Sequence, residues 1–341
     1  MKKLLFISFV LSSLFGCSDE DLIEKNVDPI NVYKTGKDYS ISYSTSDSYN
    51  LSKEPFNALG YGYDITGKYA HPNWIRGKVV DPQEYENDEY YGVMRDFGLF
   101  IHAGLGTITG TKEDIITEML SDIKADGDGL SKYKNVLKGM FELPFENDTT
   151  FKSSSYYYAV DAFASRWYSY EFYTHDVAEL YNYLTKEFKS DLITKSAEEI
   201  INLYGTHVLM CIETGVRQDF YYRTTSEQEL QKRMVYNSGK YLESTPGIWM
   251  SPEPGEYMDK ENLYTEFIGG VHTYPNAWMF DITNYTGSLK LNFERQDLEK
   301  SDIVLVNFGS RAQAITPIYE FIEDPLKREE VYKAYINYLN N

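Results

Sequence analysis

Several stretches of this chain carry a helical period, and others read like strands. Val177, Leu180, Leu184 and Phe188 share one face of a helix expected over Asp176 to Lys189. Ser196 can cap a second helix, with Glu199 completing a capping box. Ile200, Ile201, Leu203 and Tyr204 supply its packed residues, and Gly205 can take the positive φ that ends it. A last helix starts at Asp324 with Pro325 at its first position, and Tyr332, Tyr335, Ile336 and Leu339 form its stripe. Strand-like runs lie at Val208 to Ile212, at residues 151 to 173 and at Ile303 to Val306. Phe97, Leu99 and Ile101 alternate in Val93 to Ile108, and Gly104 and Gly106 suggest bends in that long strand. Pro246, Pro252 and Pro254 make residues 242 to 256 a loop.

The N-terminus reads as targeting rather than structure. Lys2 and Lys3 precede an apolar core from Leu4 to Leu11. Leu14-Phe15-Gly16-Cys17 then resembles a bacterial lipobox. Residues 1 to 16 are thus expected to be a lipoprotein signal peptide, with Cys17 as the lipidated residue carrying acyl chains such as palmitate. Ser18-Asp19-Glu20-Asp21 resembles the surface-export signal of Bacteroidetes lipoproteins, so the expected place is the outer membrane, facing outward. Residues 17 to 56 show no sustained period and are expected to be an acidic tether and loose N-terminal arm. The rest, 57 to 341, is read as one domain with no module after the last helix.

The net charge of −19 repels nucleic-acid phosphates and disfavours adsorption to anionic lipid, so no nucleic acid is expected as a partner. With 2 Cys, and Cys17 lipidated, no second cysteine is left to form a disulfide with Cys211, and stability is expected to come from packing. The 32 Tyr suit half-exposed sheet faces, glycan contacts and membrane interfaces.

Tyr204-Gly205-Thr206-His207, between a helix and a short apolar strand, with Gly215 following, resembles the signature of the membrane attack complex/perforin (MACPF) family. Val216 stands where that family has a second Gly. Leu59-Gly60-Tyr61-Gly62-Tyr63-Asp64-Ile65-Thr66-Gly67 resembles the opening strand segment of its Bacteroidetes members. Ile268-Gly269-Gly270 resembles a later Gly pair, and Pro317-Ile318-Tyr319-Glu320 with the Tyr-rich last helix resembles the family's ending. The resemblance implies an α+β fold, a bent, twisted antiparallel central sheet flanked by helical clusters. It also implies self-association into a ring and insertion of β-hairpins made from those clusters. Gly215, Gly269 and Gly270 are the hinge candidates; turn or bulge glycines are the equal alternative.

A convertible segment must satisfy a period of 3.6 as helix and 2 as membrane strand. In residues 112 to 143, Ile115, Ile116, Met119, Leu120 and Ile123 form a helical stripe. Read as strand, Ile115, Thr117, Met119, Ser121 and Ile123 share an uncharged face, and Tyr133, Asn135, Leu137 and Phe141 share one on the return arm. Asp126-Gly127-Asp128-Gly129 supplies the turn. These nine residues are the membrane-facing candidates; an ordinary amphipathic helix pair is the plainer reading. Residues 218 to 268 fit less well, because the return passes three prolines.

The five His show no metal-ligand spacing, and neither a metal nor a cofactor is expected. His207 is read as structural, at the meeting of helix and strand. Leu137 stands where a calcium loop beginning at Asp126 would need its closing Glu. No enzymatic activity is expected. The sequence therefore suggests a surface lipoprotein that forms pores in a competitor bacterial or host membrane, monomeric in solution and oligomeric on the membrane. The alternative is a non-lytic adhesion module with the same fold, holding a glycan, a protein or an outer-membrane receptor.

Overall fold

Alternation built on β-branched and aromatic residues places the strands, and side-chain caps place the helices. The computed structural model describes residues 30–34, 39–44, 51, 54–88, 92–103, 108–122, 129–142, 157–174, 176–224, 248–250, 263–269, 289–291, 303–309 and 313–341. In chain order the strands are β1 (Ile30–Lys34), β2 (Tyr39–Ser44), β3 (Tyr61–Tyr63), β4 (Ile75–Lys78), β5 (Val93–Ala103), β6 (Ile108–Gly110), β7 (Tyr157–Phe172), β8 (His207–Leu209), β9 (Cys211–Thr224), β10 (Ile248–Met250), β11 (Leu263–Ile268), β12 (Leu289–Leu291), β13 (Val304–Phe308) and β14 (Ile315–Pro317). The helices are α1 (Pro82–Glu86), α2 (Lys112–Asp122), α3 (Gly139–Glu142), α4 (Val177–Leu180), α5 (Lys186–Thr194), α6 (Ala197–Tyr204) and α7 (Pro325–Asn340).

The large sheet runs β1-β2-β11-β9-β7-β5, with β13 also on β9 and β6 also on β7. A second sheet, β14-β8-β3-β4, packs beside it, and β10 pairs with β12. Every described pair is antiparallel except β2 with β11. Buried residues from both sheets and from α2, α5, α6 and α7 form one core, with Tyr63, Tyr85, Phe172, Phe188, Phe308 and Phe321 among its largest side chains.

The caps follow the sequence. Ser196 Oγ accepts from the Glu199 amide and Glu199 Oε2 accepts from the Ser196 amide, closing the capping box of α6. Asp324 accepts from the amides of Leu326 and Lys327 at the start of α7.

Several expectations are corrected. The helix expected over Asp176 to Lys189 is broken into α4, a 3₁₀ turn at Tyr181–Tyr183 and α5. Leu184 forms a bridge to Val80, and Thr185 donates to the Lys78 carbonyl while capping α5 through the Phe188 amide. Pairing to the edge of β4 outweighs the helical period there. In α7, Val331, Ala334, Tyr335 and Leu339 are buried, whereas Tyr332 is exposed and packs edge-on to Tyr319. The N-terminal arm contains β1 and β2, and β10 lies inside the expected loop at 242 to 256.

Candidate functional site

The Tyr-Gly-Thr-His junction is a backbone clasp. Gly205 has φ 73°, and a Cβ there would lie 2.6 Å from both the carbonyl carbon and oxygen of Tyr63. That close approach lets the Thr206 amide donate to the Tyr63 carbonyl at 2.9 Å. Thr206 Oγ1 donates to the same carbonyl at 3.2 Å and accepts from the Ile65 amide at 3.0 Å. Its single proton is then used, so the 2.9 Å contact to His207 Nδ1 makes that nitrogen the donor. His207 Nε2 accepts from the Tyr335 hydroxyl at 3.3 Å. His207 is thus neutral, and burial pushes its pKa down to about 3. Both ring nitrogens are occupied in a sealed site, which is a structural role.

Asp64 extends the clasp. It is buried, and Thr66 donates to its Oδ1 through amide and hydroxyl at 3.1 and 2.7 Å. Its Oδ2 accepts from Arg76 at 3.2 Å and from the Tyr338 hydroxyl at 2.8 Å. Burial first and the Asp64 charge second raise the Tyr338 pKa to about 12.

The first candidate segment is latched onto this clasp. Its outgoing arm is helix α2, with Ile115 and Met119 buried and Thr117 and Ser121 exposed. Ile123 lies outside the described residues. The return arm is not the second long helix of a pair. It makes a 3₁₀ turn at Leu130–Lys132, then an irregular stretch with Leu137 at φ 51°, then α3. Asn135, Leu137 and Phe141 are buried and Tyr133 is half-buried. The Leu137 amide donates to the Ile65 carbonyl at 2.8 Å, and the Gly139 amide to the Thr66 carbonyl at 3.0 Å. Gly139 sits so close to Gly67 that a Cβ would come 2.8 Å from the Gly67 carbonyl carbon. From the other side, the Asn135 amide donates to the Leu339 carbonyl at 2.9 Å and its Nδ2 to the Tyr338 carbonyl at 3.1 Å. Backbone partners on two neighbouring elements hold this arm where a second helix of a pair was the plainer expectation.

The connections of the sheet have a consistent direction. β6 continues the line of β5 along β7 and ends at the Gly110–Tyr158 pair. Tyr157 pairs with Thr224, and Leu263 with Tyr222. Residues 111 to 156 and 225 to 262 therefore leave the sheet at one and the same end, each joining adjacent antiparallel strands. The connection 173 to 210, which carries the Tyr-Gly-Thr-His junction, leaves from the other end.

The hinge candidates meet at a fork. Pairing on one side of β9 passes from β13, which ends at Val304–Gly215, to β11, which starts at Ile268–Arg217. Gly269, at φ 74°, follows Ile268 at the level of Val216, next to Gly215. Gly270 lies outside the described residues. Irregularities line up across the sheet at this level: between Phe97 and Phe100 in β5, between Arg166 and Tyr168 in β7, and between Leu305 and Asn307 in β13. Bulges bend strands, so this row marks where the sheet bends.

Sequence reasoning missed the group that pins the fork. Arg217 and Asp219 face the same side of β9 and form a buried ion pair, Nε to Oδ1 at 2.7 Å and Nη2 to Oδ2 at 2.9 Å. Arg217 also donates to the carbonyls of Tyr69, Ala70 and Val306, the last being the extra residue of the β13 bulge. Burial works against the guanidinium charge, yet Asp219, together with Tyr221 and Tyr69, more than offsets this and holds its pKa above the ordinary value. The Tyr221 hydroxyl donates to Asp219 at 3.1 Å. The signal was present as Arg217, Asp219 and Tyr221 at period 2, opposite the uncharged face of Gln218, Phe220 and Tyr222.

Comparison with solved structures agrees with this geometry. A MAC/Perforin-domain protein of Bacteroides thetaiotaomicron superimposes with a TM-score of 0.61 at 15% identity, covering 85% of this chain and 63% of its own. The chain has the MACPF fold. GNIP1Aa of Chromobacterium piscinae superimposes with a TM-score of 0.53 at 16% identity, covering 83% of this chain and 55% of its own. The chain thus spans less than two thirds of the length of either MACPF-like structure. No family model matches its sequence, and no curated protein matches it.

Proposed function

We propose that this MACPF-fold protein is a lipid-anchored surface protein that self-associates on a membrane and inserts into it hairpins from the two connections 111 to 156 and 225 to 262. The observation that carries the reading is the common exit of both long connections from one end of the sheet. Extending the β5–β7 and β9–β11 ladders past that end would produce two adjacent hairpins without changing any strand order. Each connection is longer than the roughly 20 residues that a two-stranded membrane hairpin needs. Lone strands leave unbonded edges in lipid, so closure by several copies is required. No chemical step is part of this reading.

The latch on residues 135 to 139 favours a second reading, a non-lytic binding module that keeps the segment folded and uses its aromatic surface for a glycan or a protein. Dye release from vesicles separates the two. Pore formation requires release on adding the protein to bilayers made from target-derived lipid. Intact vesicles, with the protein bound but monomeric, would support the binding module. The anchor is tested separately: Cys17→Ser should abolish labelling by a fatty-acid analogue.

A further inference from the structure

The return arm of the first candidate segment carries positive charge that nothing nearby neutralises. Residues 129 to 141 contain Lys132, Lys134 and Lys138 and no acid, in a chain whose net charge is −19. Lys132 and Lys134 are exposed, and Lys138 is half-buried. Among the described residues Lys132 and Lys134 have no ion-pair partner, although the exposed acids Glu113, Asp114 and Glu118 lie on α2 of the same segment. A second acid-free run, 65 to 80, behaves differently. There Arg76 is bonded to Asp64 at 3.2 Å, Lys78 to Glu54 at 2.7 Å, and Lys68 is buried. Lys112, whose Nζ lies 5.7 Å from the centre of the Phe141 ring, brings a further cation to the arm. Charges on a surface are screened beyond about 8 Å at physiological salt, so an approaching anion responds to the nearest side chains and not to the total charge.

The same arm is held in place at a cost. Leu137 stands at φ 51°, which is uncommon for a residue other than glycine. Asn135 is buried, and its Oδ1 has no hydrogen-bond partner among the described residues, so an acceptor has lost water without compensation. Costs of this kind gather in segments that switch or clamp a ligand. The lysines are interleaved with the latch. Lys134 precedes Asn135, and Lys138 lies between Leu137 and Gly139, whose amides donate to the carbonyls of Ile65 and Thr66. A pull on the ammonium groups acts directly on the latched backbone.

We propose that Lys132, Lys134 and Lys138 form a binding site for the phosphate groups of an anionic lipid surface, and that occupancy lifts the arm from its latch. This rests on the membrane reading above and names the surface chemistry that engages it. Lysine meets phosphate as a point charge and imposes no fixed fork, so the site reads charge density and not one headgroup. Each lysine beside an anionic surface is worth about fivefold in binding, so the two exposed ones together give about 25-fold.

The full chain in a Cys17→Ser background tests this, with vesicles of phosphatidylcholine alone or mixed with phosphatidylglycerol. The parent should sediment with the mixed vesicles and not with the neutral ones, and added salt should weaken the binding. Hydrogen exchange at Asn135, Leu137 and Gly139 should quicken on the mixed vesicles. Lys132→Gln/Lys134→Gln should melt as the parent does, bind the mixed vesicles about 25-fold more weakly and show no faster exchange. Lys132→Arg/Lys134→Arg should restore both responses. Equal binding by the glutamine variant and the parent would overturn the site, as would no preference for the mixed vesicles. Binding that leaves exchange at the arm unchanged would overturn its release. Inorganic phosphate that quickens exchange without vesicles would assign the site to a free anion and overturn the lipid surface. Binding and exchange as expected, with dye retained, would keep this site and remove the pore reading; dye release by the glutamine variant equal to the parent's would do the reverse.

Discussion

Gly205 and Tyr63 are packed so closely that no side chain fits between them: a Cβ on Gly205 would stand 2.6 Å from the Tyr63 carbonyl. Gly205→Val adds both that clash and a β-branched residue at φ 73°. Strain alone should cost on the order of 1–3 kcal/mol, and loss of the Thr206 clasp adds to it. Chemical denaturation should show a lower midpoint, and Gly205→Ala should lie between the valine variant and the parent.

His207 should make the fold acid-sensitive. Its pKa is about 3 when folded, against an ordinary 6.5. The unfolded chain therefore binds a proton that the folded one refuses as pH falls below 6.5. The stability contributed by the neutral ring is complete above 6.5 and declines from there towards pH 3. The slope is about 1.4 kcal/mol per pH unit. Between pH 7 and pH 5 the parent should lose about 2 kcal/mol more than His207→Phe does, measured by urea unfolding at both pH values. Equal losses would show that the ring is protonated in the folded protein.

How much of this was legible beforehand differs from element to element. The α6 cap, Gly205 and the start of α7 were readable because each rests on contacts within a few residues. β2 has a short period of its own, Tyr39, Ile41 and Tyr43 alternating with Ser40, Ser42 and Ser44, hidden in a polar stretch. The return arm was not readable, because its partners Ile65, Thr66, Tyr338 and Leu339 are distant in sequence. Asn135, which alternation puts on the uncharged face of the return arm, is buried and bonded to α7.

The fork in β9 should depend on Asp219. Asp219→Ala leaves the Arg217 guanidinium buried among carbonyls with no carboxylate beside it. Removing one partner of a buried pair costs about 3–5 kcal/mol. A loss below ~1 kcal/mol in equilibrium unfolding would mean that water reaches the guanidinium instead.

Thr117 tests insertion most directly. It is exposed on α2, and its hydroxyl donates to the Glu113 carbonyl at 2.8 Å. Thr117→Arg should change the stability of the soluble fold by no more than about 0.5 kcal/mol. In a membrane strand the arginine should cost roughly 2–4 kcal/mol per subunit at the bilayer midplane and stop dye release. Glu118→Gln, also exposed, should release dye as the parent does. A Thr117→Arg protein that permeabilises vesicles normally would place α2 outside the bilayer.

The latch on the return arm also sets a kinetic signature. The amides of Asn135, Leu137 and Gly139 donate to three separate carbonyls, those of Leu339, Ile65 and Thr66, on two different elements. None of the three can open alone without dragging the short backbone between them. In deuterated buffer they should lose their protons at one shared rate, set by a single lifting of the arm, while α2 keeps a rate of its own. Hydrogen exchange would then time the lifting of this arm in solution.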